Sequence, residues 1–205
     1  RPATKTKGGI SVEVYEYILV YTDDLLVIAC EPKGVLLKVD KYFHLKPDSV
    51  GEPDIYLGSK IRKVQCGDSM AWAQSSSAYV KDAVKDAEKW CHEHGFKIPA
   101  KVKIPMSSTY RPELDVSEVL SQEYASWYRS SIGTIRWACE LGRVDLSTET
   151  SMLASHMMQP WVGHLMALLQ VFGYLKSHHN ACLVHDPRYS EIDHSKFLKA
   201  DWVDF

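Results

Sequence analysis

Hydrophobic and polar residues alternate from 10 to 21. Val12, Val14, Ile18 and Val20 fall on one face and Ser11, Glu13 and Tyr15 on the other, which predicts a strand or a pair of strands. After Tyr21-Thr22-Asp23-Asp24 an aliphatic run, Leu25 to Cys30, resumes the strand character. Two adjacent carboxylates between two such runs predict a tight hairpin with buried strands and an exposed acidic tip. Pro32 suits a helix start, and Val35, Leu36, Val39 and Phe43 give residues 34–43 helical spacing. Residues 44–51 are loop-like and 54–64 return to strand character. Gly67-Asp68 then turns the chain into a strand over 70–73.

From residue 75 the period lengthens to that of a helix. Ser75, Ser76 and Ser77 offer an N-cap, and Tyr79, Val80, Ala83, Val84, Ala87, Trp90 and Cys91 form one apolar stripe closed by Gly95. Residues 96–105 form a Pro-punctuated connector carrying three Lys. Asp115 with Glu118 three positions on reads as a capping-box variant, opening a helix whose buried face holds Tyr124, Trp127, Tyr128, Ser131, Ile132, Ile135, Ala138 and Cys139. Gly142 ends that helix, Asp145 caps the next, and Pro160 starts a third, so three helices pack into a lobe. A strand is expected over 181–185. The pattern predicts an α+β protein: antiparallel hairpins with a helix, then a helical lobe.

Composition narrows the function classes. A chain of 205 residues, 45% hydrophobic and 24% charged, can bury a core of ordinary globular size. A formal charge of -2 means that any nucleic-acid partner has to be held by local basic patches. Cys30, Cys66, Cys91, Cys139 and Cys182 form no C-x-x-C pair, which argues against a zinc ribbon or disulfide framework and for a reducing compartment. His156, His164, His178 and His179 lack acidic or Cys partners at ligand spacing. With no apolar leader and no run near the roughly 18 residues of a membrane span, neither secretion nor membrane insertion is expected. Because it opens on Arg1-Pro2-Ala3 with no initiator Met, the chain reads as a piece of a longer protein.

The chemistry rests on Asp23 and Asp24. Mg²⁺ prefers carboxylate oxygens plus water and phosphate oxygens, so carboxylates at an exposed tip can attract it. On the tetrapeptide alone a plain surface turn is the more economical reading, because Asp is common in turns with no metal nearby. Lys81, Lys85 and Lys89 line up at i+4 spacing and could track a phosphate backbone. Asp82 and Asp86, three residues before Lys85 and Lys89, favour local pairing and a solvated outer face instead.

Four stretches, in order, resemble the C-terminal half of the reverse transcriptase of copia-type LTR retrotransposons. Residues 18–28, with Tyr21-Thr22-Asp23-Asp24, resemble the palm hairpin written as tyrosine, any residue, two aspartates. Residues 49–58 with Ile61 resemble the strand pair that holds the primer end. Residues 128–137 with Gly142-Arg143-Val144-Asp145 resemble the helical block carrying tyrosine-arginine-serine and later arginine-x-aspartate. Residues 170–176 resemble the helix that precedes the ribonuclease H domain.

The resemblance implies an RNA-directed DNA polymerase acting by two-metal phosphoryl transfer, with Mg²⁺ or Mn²⁺ as cofactor. Asp23 would bind metal, Asp24 would support it, and Tyr21, Thr22, Leu57 and Gly58 would lie along the nucleic acid. The implied partners are an RNA/DNA primer-template, deoxynucleoside triphosphates, and the upstream fingers and palm of the same polyprotein. The implied compartments are cytoplasmic virus-like particles and the nucleus. Its domains would be 1–74 (palm with primer-grip strands), 75–180 (thumb and connection, gripping duplex through its backbone) and 181–205 (the start of a ribonuclease H-like region).

Three departures shape the expectation. The family's further palm aspartate lies on a strand upstream of Arg1, and one carboxylate pair on one turn cannot hold two metals, so this piece alone is expected not to polymerise. Lys199 stands where the ribonuclease H strand carries an acidic residue, ahead of Ala200, Asp201 and Trp202. Gln170 and Gly173 stand where Arg or Lys is common, as decay of an unselected element would produce. The competing expectations are a catalytically silent relic and a module that only binds nucleic acid.

Overall fold

The computed structural model describes residues 2–7, 10–46 and 48–186, so the turn at Gly8-Gly9 and the reading of Lys199 lie outside the described residues. Within them the fold is mixed α+β, with antiparallel sheets leading into helices. Strands β1 (Pro2–Lys7) and β2 (Ile10–Tyr15) pair into one hairpin, and β3 (Tyr17–Tyr21) and β4 (Asp24–Ile28) into a second. Helix α1 (Pro32–Phe43) follows. Strands β5 (Ile55–Tyr56), β6 (Ser59–Cys66) and β7 (Ser69–Ser75) form a sheet completed by β8 (Leu183–His185), in the order β5-β6-β7-β8. Between β7 and β8 lie α2 (Ser77–His94), α3 (Gln122–Glu140), α4 (Ser147–Ala154) and α5 (Val162–Ser177).

The core sits in the helices. Val80, Val84, Ala87 and Cys91 of α2 meet Tyr128, Ile132 and Ile135 of α3 and the almost continuously apolar α5. Leu165, Leu168, Leu169 and Leu175 of α5 are closed to solvent, each stabilising the fold by about 1.5–3 kcal/mol relative to exposure. The helical lobe therefore comprises α2 to α5, with α2 packed on α5 and α3. No helix among the described residues is long and apolar enough to cross a membrane.

Several expectations change. The β3–β4 hairpin forms at its expected place, but its strands are not buried: every residue of β3 is exposed, with Leu19 at 40% and Val20 at 65%. Among the described residues no further strand pairs with it, and α1 packs beside β4. Residues 2–7, polar in the sequence, form a strand paired antiparallel with β2. The strand expected over 54–64 breaks at Leu57-Gly58 into β5 and β6, both turn residues having positive φ (53° and 83°). Two conformers of φ > 0 in a two-residue hairpin loop match the twist of the flanking strands.

The helix caps also differ. Helix α3 starts after Ser121, whose Oγ accepts from the Tyr124 amide. Asp115 lies before this start and serves α5 instead. Its carboxylate lies over Gly163, accepts from the Ser117 amide (2.9 Å), and Ser117 Oγ accepts from the Gly163 amide (2.9 Å). Burial pushes the Asp115 carboxyl up, but the Ser117 hydrogen bonds and the neighbouring His164 hold it below the usual range. Asp145 does not cap α4, because it is committed to Arg143, whose Nε and Nη2 donate to its two oxygens at 2.9 and 2.8 Å. On α2 no ion pair joins Lys85 to Asp82 or Lys89 to Asp86.

Candidate functional site

Two tight turns and one helix build an open depression of about 390 Å³, lined by Tyr21, Thr22, Asp23, Asp24, Leu57, Gly58 and Trp137. The first turn is the tip of β3–β4. Tyr21 pairs with Asp24, leaving Thr22-Asp23 as a two-residue loop with Thr22 at φ 51°. The second is Leu57-Gly58, closed by the pairing of Tyr56 with Ser59. Glycine suits positive φ, but Thr22 is β-branched and Leu57 bulky, so both are strained, at a cost on the order of 1–3 kcal/mol each. Such strain persists only where the surroundings over-determine it, and it concentrates at functional sites.

Asp23 and Asp24 are both exposed, Asp23 in the loop and Asp24 as the first residue of β4. Tyr56 lies within electrostatic reach of Asp24: burial raises its hydroxyl pKa first, and the Asp24 charge adds to the rise. Among the described residues no Lys, Arg or His lines the depression. Among the described residues no group of three or more His, Cys, Asp or Glu is placed to hold a metal. Two carboxylates fall short of a two-cation site.

All six residues singled out in the sequence, Tyr21, Thr22, Asp23, Asp24, Leu57 and Gly58, thus line one depression. Trp137 joins them unannounced. It lies inside the block 128–137 but off the buried stripe of α3, half-buried, with its ring 6.4 Å from that of Tyr21 and tilted by 44°. The signal that could have found it is that displacement: a large aromatic one step off a helix's core face needs another neighbour.

A second, smaller depression on the helical lobe is lined by Lys81, Val84, Lys85, Glu88, Lys176 and His179. Glu88 accepts from Lys176, while Lys81 and Lys85 make no ion pair among the described residues. Two of the lysines aligned in the sequence are thus brought together with a third from α5. Lys89 does not line the depression.

Arg143 and Asp145 sit where α3 gives way to α4. Arg143 is 1% exposed and lies 5.7 Å from the Tyr174 ring, and the Tyr174 hydroxyl donates to Asp145. Burial pushes the Asp145 carboxyl up, and Arg143 outweighs it to hold the group below the usual range. The nearby Ser59 hydroxyl donates to the Leu141 carbonyl, tying β6 to the end of α3. The arginine-x-aspartate pair thus ties the corner between α3 and α4 to Tyr174 of α5. His164 gains neighbours that sequence spacing did not show: Asp115 Oδ2 at 3.8 Å and the His156 ring stacked at 4.1 Å.

No protein-family model matches the chain, and no solved structure matches it. A Saccharomyces cerevisiae protein named for transposon Ty5-1 is 29% identical over 174 residues, covering 82% of this chain and 51% of that protein. The chain spans about half the length of this curated relative. It is distantly related to a protein of Ty5, a copia-type retrotransposon.

Proposed function

We propose that the chain is part of a retrotransposon RNA-directed DNA polymerase, with Asp23 and Asp24 at its phosphoryl-transfer site. The observation that carries this reading is the convergence of two strained turns, both carboxylates and an aromatic ring on one depression. Asp23 and Asp24 would hold Mg²⁺ or Mn²⁺, and the cation would supply neutralisation of phosphate charge. The exposed tip keeps both carboxylates open to solvent and ligand. The Leu57-Gly58 turn brings backbone close to the carboxylates, where a primer end would rest. Lys81 and Lys85, which have no carboxylate partner among the described residues, would contact phosphates of the duplex and make its binding salt-dependent.

Two carboxylates are fewer than two cations need, so polymerisation would require a further carboxylate from outside the described residues. The exposed apolar strand β3, to which among the described residues only β4 pairs, offers a surface for the segment that brings it. The test is primer extension with Mg²⁺. The 205-residue chain alone should not extend a primer, and it should do so when supplied with the fingers and upstream palm, with Asp23→Asn abolishing synthesis. Template-dependent synthesis by the chain alone would overturn the incomplete-site reading, and supplemented synthesis indifferent to Asp23→Asn would overturn the assignment of the site.

A further inference from the structure

We propose that Trp137 is the stacking wall for the base of a nucleotide whose phosphates lie at Asp23 and Asp24. The proposal rests on the phosphoryl-transfer reading above and adds to it the residue that tells a nucleotide from a bare polyphosphate. The inside of α3 is filled by Tyr128, Ile132, Ile135 and Ala138, so the Trp137 ring is spared from the core and borders the acidic depression. The Trp137 and Tyr21 rings splay at 44° with centroids 6.4 Å apart. A base held between two rings needs about 7 Å, twice a contact of about 3.5 Å. A small change in tilt opens that space.

The lining also selects the class of ligand. With two carboxylates and no cationic side chain among the described residues that line it, the depression repels a free polyanion and accepts one that arrives with a divalent cation. On the opposite side it offers π-face and aliphatic surface, which suit a planar base. A ring reads the face of a base and not its edges, so the wall accepts purines and pyrimidines alike, as template-directed transfer requires.

The test is calorimetric titration of the whole chain with magnesium tripolyphosphate and with magnesium complexes of dATP and dTTP. Base–aromatic stacking predicts that the wild type prefers both nucleotides over tripolyphosphate by roughly 5- to 150-fold. Trp137→Ala should erase the preference and leave tripolyphosphate affinity unchanged, and Trp137→Phe should keep most of it. Trp137→Leu, which fills the space without a π-face, should lose it and serves if the alanine variant does not fold. Equal weakening of all three ligands in Trp137→Ala would make the residue a structural prop and overturn the inference, as would a preference that survives Trp137→Leu. Wild-type binding of tripolyphosphate with no nucleotide preference would overturn this inference alone. Binding of no ligand by the wild type would also overturn this inference, whereas the phosphoryl-transfer reading is overturned only by the supplemented primer extension described above.

Discussion

Adding one methyl group to Gly173 should destabilise the protein, although the same change in an open helix stabilises it. Gly173 is buried on α5, and a Cβ there would lie 2.6 Å from the Pro99 carbonyl oxygen and 2.7 Å from Val102 Cγ2. Ordinary contacts begin near 3.4 Å, so the 96–105 connector would have to move by several tenths of an ångström. Overpacking of this kind costs about 1–3 kcal/mol, against a gain of about 1 kcal/mol from the better helix propensity of alanine. The neighbour is backbone, which cannot swing aside, so the cost should win by about 1 kcal/mol. Gly133 on α3 is the control: nothing lies within 4 Å of its Cβ position, and Gly133→Ala should gain about 0.5–1 kcal/mol. Urea unfolding followed by Trp fluorescence should give midpoints displaced in opposite directions with unchanged m values. Equal stabilisation by both substitutions would refute the packing of the connector on α5.

Other consequences follow from buried or charged groups. Arg143→Met should cost about 3 kcal/mol, the lower end for breaking a buried pair, because Asp145 is 38% exposed and regains solvent; calorimetric melting checks this. His94 stacks on Trp90 and faces the Trp90 carbonyl and Glu123, contacts that raise its pKa. A raised folded pKa gives stability that is full below the unfolded value of about 6.5 and is lost as pH rises through the folded pKa. The excess stability of wild type over His94→Gln should therefore shrink from pH 5.5 to pH 8. His164 has the opposite sign: burial first and His156 second lower its pKa, so its contribution weakens as pH falls below about 6.5. Wild type compared with His164→Gln should show that trend in melting temperature.

How far the sequence discloses this fold depends on whether the determining contact is local. The stripes of α2, α3 and α5 are legible because a helix core face recurs every 3.6 residues, and Val80, Tyr128 and Phe172 stand where that period puts them. The turn at Thr22-Asp23 is legible because an alternating run precedes it and an aliphatic run follows it. Where the partner is distant, legibility fails. Asp115 resembles the cap of the next helix, yet it docks on α5 at Gly163, 48 positions away. Lys85 has a carboxylate at helical spacing, yet it borders a depression shared with Lys176. Leu57 carries no turn signal of its own, and only the pairing of Tyr56 with Ser59 forces it to φ 53°.

The same distinction bears on whether this chain is a relic. Gln170 and Gly173 stand where the resembling family commonly carries Arg or Lys, and from the sequence these changes look like unselected drift. In the fold both positions face the connector: Gln170 Nε2 donates to the Ile104 carbonyl at 3.3 Å, and Gly173 makes room for the backbone at Pro99. A long cationic side chain at Gly173 would collide with that backbone, and its charge would be buried. Drift predicts unmatched losses scattered over the surface, whereas these two substitutions match one strip of backbone, a single turn apart on one helix face. Both fit the connector, so by themselves they carry no argument that the acidic depression has lost its use.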